Sequence, residues 1–340
     1  MSLEDSYNQI HRCSCPSPPP GRGWRCLTGA VLAILAPGQG AQKPGMLAPW
    51  LELDGLPEVL AGWSEAAGLD LHRLGIEADA DEIRSTAITQ PLVVATALLG
   101  ATGLDVPPDA VTAGHSVGEL AAAAIAGVIS PVQATTLASI RGTAMQRACA
   151  IVPTSMAACM NPDVDAVLDA LEGRNLVGAN VNGAGQVVAA GAAADIAALV
   201  QDPPAGTRVI PLQVAGAFHT DYMAPAKAEL APRIAELMPS DPNRPLLTNS
   251  DGSVVGSGRR YLDLLLSQIT SPVRWDRCMS TLTELGVTGV LELPPSGTLV
   301  GLAKRELKGV ATMALRAPAD MDSAREFLAE HAAGSTGSAA

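Results

Sequence analysis

Aromatic side chains are nearly missing from this 340-residue chain, which has two Phe, three Tyr and four Trp. A core of stacked rings is therefore excluded. The 48% of residues that are hydrophobic must pack mainly as Ala, Val, Leu and Ile, which fits an α/β protein whose helices meet over small residues. Positive charge is also scarce. Lys and Arg number 22 against 34 Asp and Glu, a formal net charge of -12. That balance argues against nucleic acid or an anionic membrane as the main partner, although a local basic patch is compatible with it. No apolar run reaches the ~20 residues of a membrane span. The six cysteines are Cys13, Cys15, Cys26, Cys149, Cys159 and Cys278. Cys13-Ser14-Cys15 is too tight for a zinc clip and no His pair stands at ligand spacing nearby, so no metal site is expected. The thiols read as the reduced cysteines of a cytoplasmic protein.

Regular structure is also lacking at both ends. Pro16 and Pro18 to Pro20 interrupt residues 1–29, which carry positive charge without an apolar signal core. This segment reads as a disordered extension, as does the Gly-, Ser- and Ala-rich tail 333–340.

Between the ends stands Gly114-His115-Ser116-Val117-Gly118. A Gly-x-Ser-x-Gly pentapeptide between a buried strand and a helix allows a sharp turn that lifts one hydroxyl out of the backbone. The amides that follow, at a helix N-terminus, face any negative charge that develops there. Val111 to Ala113 supplies the strand, and Glu119 to Ala124 is strongly helix-forming. The alternative is an ordinary strand-to-helix turn.

The flanking pattern predicts an α/β architecture. Val31 to Ala36 reads as a strand, followed by helical stretches near 57–67 and 90–100. Ser130-Pro131-Val132-Gln133 reads as a capping box with proline at the first helical position, opening a helix to Cys149. The rhythm then changes to strand 154–160, helix 163–172, strand 176–182, strand 186–191, helix 192–201 and strand 208–213. That βαββαβ order is ferredoxin-like and suggests a small domain, 153–214, inserted into a larger one, 30–152 and 215–332. Beyond it, helices are expected over 222–237, 259–269, 275–285, 297–305 and 319–332, with a strand at 288–293. Strands alternating with helices imply a parallel sheet covered on both faces.

A serine nucleophile needs a base. Of five histidines, His11 lies in the N-terminal extension. His72 and His331 sit among charged helical residues and are expected to face solvent. His115 adjoins Ser116, so the two side chains point apart at a sharp turn. His219, in Gly216-Ala217-Phe218-His219, follows an apolar strand, where open α/β sheets place their sites; a packing role at a helix start is the alternative. No aspartate is marked as a third member. A backbone carbonyl is chemically adequate to fix the ring.

The ordered set of motifs resembles the malonyl-CoA:acyl carrier protein transacylases, acyltransferases of bacterial fatty acid and polyketide synthesis. The motifs are Gly-Gln-Gly after the first strand, Gly-His-Ser-Val-Gly, Arg141-Gly142 with Met145, Asn180-x-Asn182 before Gly-Gln-Val-Val, and Ala-Phe-His. The resemblance runs from about Val31 to Ala332 and implies an α/β-hydrolase-like large domain beside the ferredoxin-like one. It implies Ser116 as the nucleophile that becomes malonylated and His219 as general base, its ring held by a main-chain carbonyl of Ser271-Pro272-Val273-Arg274-Trp275, expected at Arg274. It implies an oxyanion hole from the backbone amides of Gln39 and Val117. Arg141, which by itself reads as a surface arginine on a helix, is implied to grip the malonyl carboxylate with two parallel hydrogen bonds. Phe218 matches the residue that excludes an α-methyl group, and Asn180 and Asn182 match pocket-lining asparagines, with turn formation before Gly183 as their alternative. Gly216-Ala217 and Pro294-Pro295-Ser296-Gly297 depart from the more usual residues of the family.

The implied activity is ping-pong transfer of malonyl from malonyl-CoA to acyl carrier protein, by a monomer, with no cofactor beyond the CoA thioester. The rival is a serine hydrolase or thioesterase with the same elbow. Acyl carrier proteins are acidic, so docking is expected at a basic patch, with Arg259, Arg260, Lys304 and Arg305 as candidates.

Overall fold

Each of the five residues Leu32–Ala36 is buried, as a strand covered on both faces requires. A computed structural model describes residues 31–332, so the expectations for 1–29 and 333–340 lie outside the described residues. The strands are β1 (Leu32–Ala36), β2 (Val111–Gly114), β3 (Thr154–Met160), β4 (Val177–Gly183), β5 (Gln186–Ala192), β6 (Arg208–Pro211), β7 (Val273–Arg274), β8 (Gly289–Glu292) and β9 (Ala311–Ala314). The first sheet has the order β2-β1-β8-β9 and is parallel throughout. Its apolar strands sit between helices, as an α/β fold demands.

The second sheet has the order β6-β3-β5-β4-β7. Within residues 154–211 the elements run strand, helix, strand, strand, helix, strand. The three pairings of β3 with β5, β3 with β6 and β4 with β5 are antiparallel. β7 then adds in parallel to β4, with Asn180 opposite Val273 and Val181 opposite Arg274. The loop after residue 268 therefore completes this sheet, a link that the alternating pattern of 154–213 did not suggest. β9 and the helix Leu71–Ile76 also escape the pattern. β9 is a short edge strand with half-exposed residues, and the helix is too short to display a period.

The helix Pro131–Cys149 begins and ends where its signals place it. Gln133 N donates to Ser130 Oγ at 3.1 Å and Ser130 N donates to Gln133 Oε1 at 2.8 Å, closing the capping box. This helix packs along Thr86–Ala101, which is buried along most of its length. Small residues permit the close approach: a Cβ on Gly142 would stand 2.5 Å from Thr86 O. The approach brings Gln90 against Arg141, its side-chain carbonyl 2.7 Å from Arg141 Nη1. Among the described residues no helix is long and apolar enough to cross a membrane, and no group of three or more His, Cys, Asp or Glu residues could hold a metal ion.

Ser130→Ala removes one half of the capping box and is expected to cost about 1 kcal/mol of stability. Urea unfolding checks this. An unchanged midpoint would mean that water replaces the Ser130 oxygen at the helix start without penalty.

Candidate active site

β2 ends at Gly114 and the next helix begins at Gly118, which leaves three residues to reverse the chain. Ser116 absorbs the turn with φ 54°, in the left-handed region that costs a residue with a Cβ. A Cβ on Gly114 would collide with the backbone of Gly118, and one on Gly118 with the carbonyl oxygens of Ala36 and Pro37. The two glycines thus let the turn fold on itself and pack against the loop that carries Gln39.

His219 also has a left-handed backbone, φ 60°, and is 3% exposed. Its Nε2 lies 2.8 Å from Ser116 Oγ and its Nδ1 lies 2.8 Å from the backbone carbonyl of Gln268. A carbonyl only accepts, so Nδ1 carries the hydrogen and Nε2 is left to accept from the serine hydroxyl. The carbonyl that holds the ring therefore belongs to Gln268 and not, as the motif led one to expect, to Arg274. Gln268 is the last residue of the helix Gly258–Gln268, where carbonyls have no partner within the helix. The Arg274 backbone is committed elsewhere: it pairs with β4 through β7 and donates its amide to Asn249 O at 2.8 Å. Its guanidinium holds Asp276.

Arg141 is not a surface arginine. It is 1% exposed. Nη1 donates to Gln90 Oε1 at 2.7 Å, and Nη2 donates to Gln268 Oε1 at 2.9 Å and to Ser116 Oγ at 3.4 Å. Its Nε is buried without a partner. Burial pulls the guanidinium down to about 10, opposed by the charge of Glu119, so it remains a cation at neutral pH. Burial foremost, and the Arg141 charge after it, pull His219 down to about 3, against the Gln268 carbonyl that supports the protonated ring. The imidazole is consequently neutral at neutral pH.

Three residues in this site had no functional signal in the sequence. Gln268 Nε2 lies 3.1 Å from Ser116 O, 2.5 Å from Glu119 Oε2 and 3.1 Å from Asn249 Oδ1. Glu119 reads in the sequence as a helix former. It is 1% exposed, accepts from Asn249 N at 2.6 Å, and is pushed up to about 8 by burial. Asn249 accepts from Ser116 N at 2.8 Å and donates to Gly114 O at 2.8 Å, bracing both sides of the serine turn. Only the spacing of Glu119 three residues after Ser116 could have drawn attention to it.

The remaining expected residues fall around this centre. Val117 is buried and Gln39 half-buried, and neither backbone amide donates a hydrogen bond to another described residue. Phe218 is buried next to His219. Asn180 and Asn182 are buried on β4. Asn182 Oδ1 lies 2.9 Å from His115 Nε2, and its Nδ2 donates to Gln186 Oε1 at 3.0 Å. His115 therefore lies against Asn182 and, at a steep angle, the Trp275 ring rather than the serine. His72 is exposed as expected. His331 is not: it is half-buried with Nδ1 3.0 Å from Thr288 Oγ1, over Gly289, which offers no side chain to exclude the ring. Cys149, Cys159 and Cys278 are free thiols. Of the proposed basic patch, Arg259 is spent on the carbonyls of Ile234 and Leu237 at a helix end. It and Arg260 open the helix whose far end is Gln268, about 15 Å along the axis at 1.5 Å per residue. Lys304 and Arg305 are exposed.

The arrangement can move one proton from Ser116 Oγ to His219 Nε2 and present the oxygen to an electrophile, with a buried cation alongside. A model of the acyl transferase domain matches residues 35–333. The malonyl CoA-acyl carrier protein transacylase of Mycobacterium tuberculosis is 51% identical over 297 residues, covering 86% of this chain and 98% of that protein. The crystal structure of MCAT from the same organism superposes with a TM-score of 0.83 at 50% identity, covering 87% of this chain and 99% of that one. A malonyl-transacylase solved in complex with a type II PKS acyl-carrier protein superposes with a TM-score of 0.82 at 30% identity, covering 87% of this chain and 99% of that one.

Burial of the His219 ring links its protonation to folding and to the reactivity of Ser116. The folded protein binds its proton less readily than the unfolded chain between about 3 and 6.5. The associated stability is therefore present above pH 6.5 and drains away as pH falls. In the same range the imidazole stays unprotonated, so the rate at which Ser116 reacts with a serine-directed phosphonate is expected to hold level through pH 6.5. A rate that halves near 6.5 would assign His219 an ordinary, solvated imidazole.

Proposed function

The chain belongs to the acyl transferase domain family, and on that premise we propose that it transfers malonyl groups from malonyl-CoA to the phosphopantetheine thiol of acyl carrier protein. His219 takes the proton of Ser116, whose Oγ attacks the thioester carbonyl carbon. The oxyanion is held by the amides of Gln39 and Val117. The carbon–sulfur bond breaks, and the proton on His219 passes to the departing CoA thiolate. The carrier thiol then gives its proton to His219 and attacks the malonyl-serine ester; the Oγ–carbon bond breaks, His219 returns the proton to Ser116 Oγ, and the carrier leaves as the malonyl thioester. Gln268 O keeps the ring aimed throughout. Phe218, Asn180 and Asn182 line the acyl and pantetheine path. The steps run on protein groups, with CoA thioester as substrate and no metal or redox cofactor.

The same reading takes the parallel-sheet unit as α/β-hydrolase-like and residues 153–214 as a ferredoxin-like insertion. The strand order β6-β3-β5-β4 with antiparallel pairing supports the second part. The insertion contributes Asn180 and Asn182, and the large unit contributes Ser116, Arg141 and His219.

The observation that carries the malonyl assignment is the buried guanidinium of Arg141 with Nη2 3.4 Å from Ser116 Oγ. Its orphaned Nε shares an edge with Nη2, and a carboxylate can bridge that edge with two parallel hydrogen bonds. A hydrolase of neutral esters uses the same serine and histidine but leaves this cation without a task.

Arg141→Ala separates the readings. Removing one partner of a buried charge pair costs about 3–5 kcal/mol. Malonyl transfer should therefore fall by roughly two to four powers of ten, at about 1.4 kcal/mol per decade. Acetyl-CoA has no carboxylate to strand, so its transfer should hold or improve. Equal losses for both donors would make Arg141 a folding residue and remove the basis for the malonyl assignment.

A further inference from the structure

Arg141 and His219 meet at one atom. The guanidinium Nη2 lies 3.4 Å from Ser116 Oγ and the imidazole Nε2 lies 2.8 Å from the same oxygen. Both side chains are almost fully buried. When the serine gives up its proton, a second positive charge forms on His219 beside the first, in a pocket that screens charge poorly.

The protein offers little to balance that imidazolium. The charged and titratable groups around the ring are Arg141 from the helix Pro131–Cys149 and His115 from the turn after β2, and both oppose protonation of the ring. The Gln268 carbonyl favours it, as a dipole rather than a charge. Glu119 stands behind the Gln268 side-chain amide, which separates it from Arg141: Oε1 of Gln268 faces the guanidinium and Nε2 faces the carboxyl. Burial keeps much of Glu119 protonated at neutral pH. The place that a carboxylate occupies in a Ser–His–Asp triad is taken here by a neutral carbonyl, and the nearest full charge has the wrong sign.

We propose that the substrate supplies the missing counter-ion: its free carboxylate, seated on Arg141, cancels the guanidinium charge beside His219 and so completes the base. The proposal rests on the malonyl reading above and extends it from binding to rate. The proton of Ser116 Oγ moves to His219 Nε2 as the Oγ–carbon bond forms and the carbon–sulfur bond breaks. The imidazolium then protonates the thiolate. In the second half-reaction the carboxylate of the malonyl-serine remains on Arg141, and the same compensation serves His219 when it takes the carrier thiol proton. A neutral acyl-CoA can enter the same channel but leaves two cations facing each other at the chemical step. Discrimination therefore appears in kcat as well as in KM.

The test is a histidine-selective NMR titration of the Ser116→Ala protein, which binds thioesters without turning them over. It is run free, with saturating malonyl-CoA and with saturating acetyl-CoA. The His219 midpoint is expected to rise by about one pH unit or more with malonyl-CoA, the scale of a compensated neighbouring charge, and to stay near that of the free protein with acetyl-CoA. Equal midpoints with the two thioesters would overturn the proposal while leaving the malonyl reading intact. A protein that binds acetyl-CoA but not malonyl-CoA would overturn the malonyl reading itself. The unsubstituted enzyme gives an independent check if the variant does not fold. In single-turnover acylation of Ser116, the acid limb should lie at higher pH for malonyl-CoA than for acetyl-CoA, and coincident limbs would contradict the proposal.

Discussion

Gln268 is the residue on which the site converges. Its backbone carbonyl fixes His219, its side-chain oxygen holds Arg141, and its side-chain nitrogen lies among Ser116 O, Glu119 Oε2 and Asn249 Oδ1. One neutral residue at a helix terminus thereby sets the direction of the His219 ring, the position of the Arg141 cation and the floor of the Ser116 turn. A charged residue could not replace it. A carboxylate would pair with Arg141 and neutralise it, and an ammonium would repel it. The amide satisfies both a cation and a carboxyl through its dipole and leaves the Arg141 charge uncancelled. The location at the helix end is equally necessary, since only a terminal carbonyl is free of the helix ladder.

That convergence stabilises an otherwise unfavourable backbone. Ser116 and His219 both have left-handed φ values, a conformation worth about 1–3 kcal/mol of strain apiece when the residue is not glycine. Asn249 spans the serine turn from Gly114 O to Ser116 N, and Gln268 ties the ring and the turn to one helix end. The glycines on either side of Ser116 remove the collisions that would open the turn. Strain and support therefore lie at the same place, and both serve to hold Oγ and Nε2 2.8 Å apart.

What the sequence revealed follows the reach of local rules. Gly114, Ser116 and Gly118 disclose the elbow because a tight turn needs those residues within five positions. Ser130, Pro131 and Gln133 disclose a helix start because a capping box spans four. The βαββαβ rhythm is legible because its first five elements run seven to nine residues each, long enough to show a period. Gln268, Asn249 and Glu119 are not legible in this way. Their contacts to Ser116 and to each other span up to 152 residues of chain, and an isolated amide has no pattern. The same limit explains the misplaced carbonyl. Arg274 lies in the matching motif, but the fold returns the end of the preceding helix to His219 and spends Arg274 on β7 and Asp276. Arg141 is the intermediate case: its helix was readable, whereas its burial depends on Gln90 and Gln268, which lie on other helices.

Transfer through Ser116 requires the acyl group to rest on that residue between two thiols. Intact-protein mass spectrometry after brief exposure to malonyl-CoA, followed by addition of holo acyl carrier protein, tests it directly. The expected result is a single malonyl adduct that maps to the peptide containing Ser116, persists in water, and disappears as the carrier gains the same mass. An adduct on another residue, or one that is lost to water as fast without the carrier as with it, would rule out transfer through Ser116.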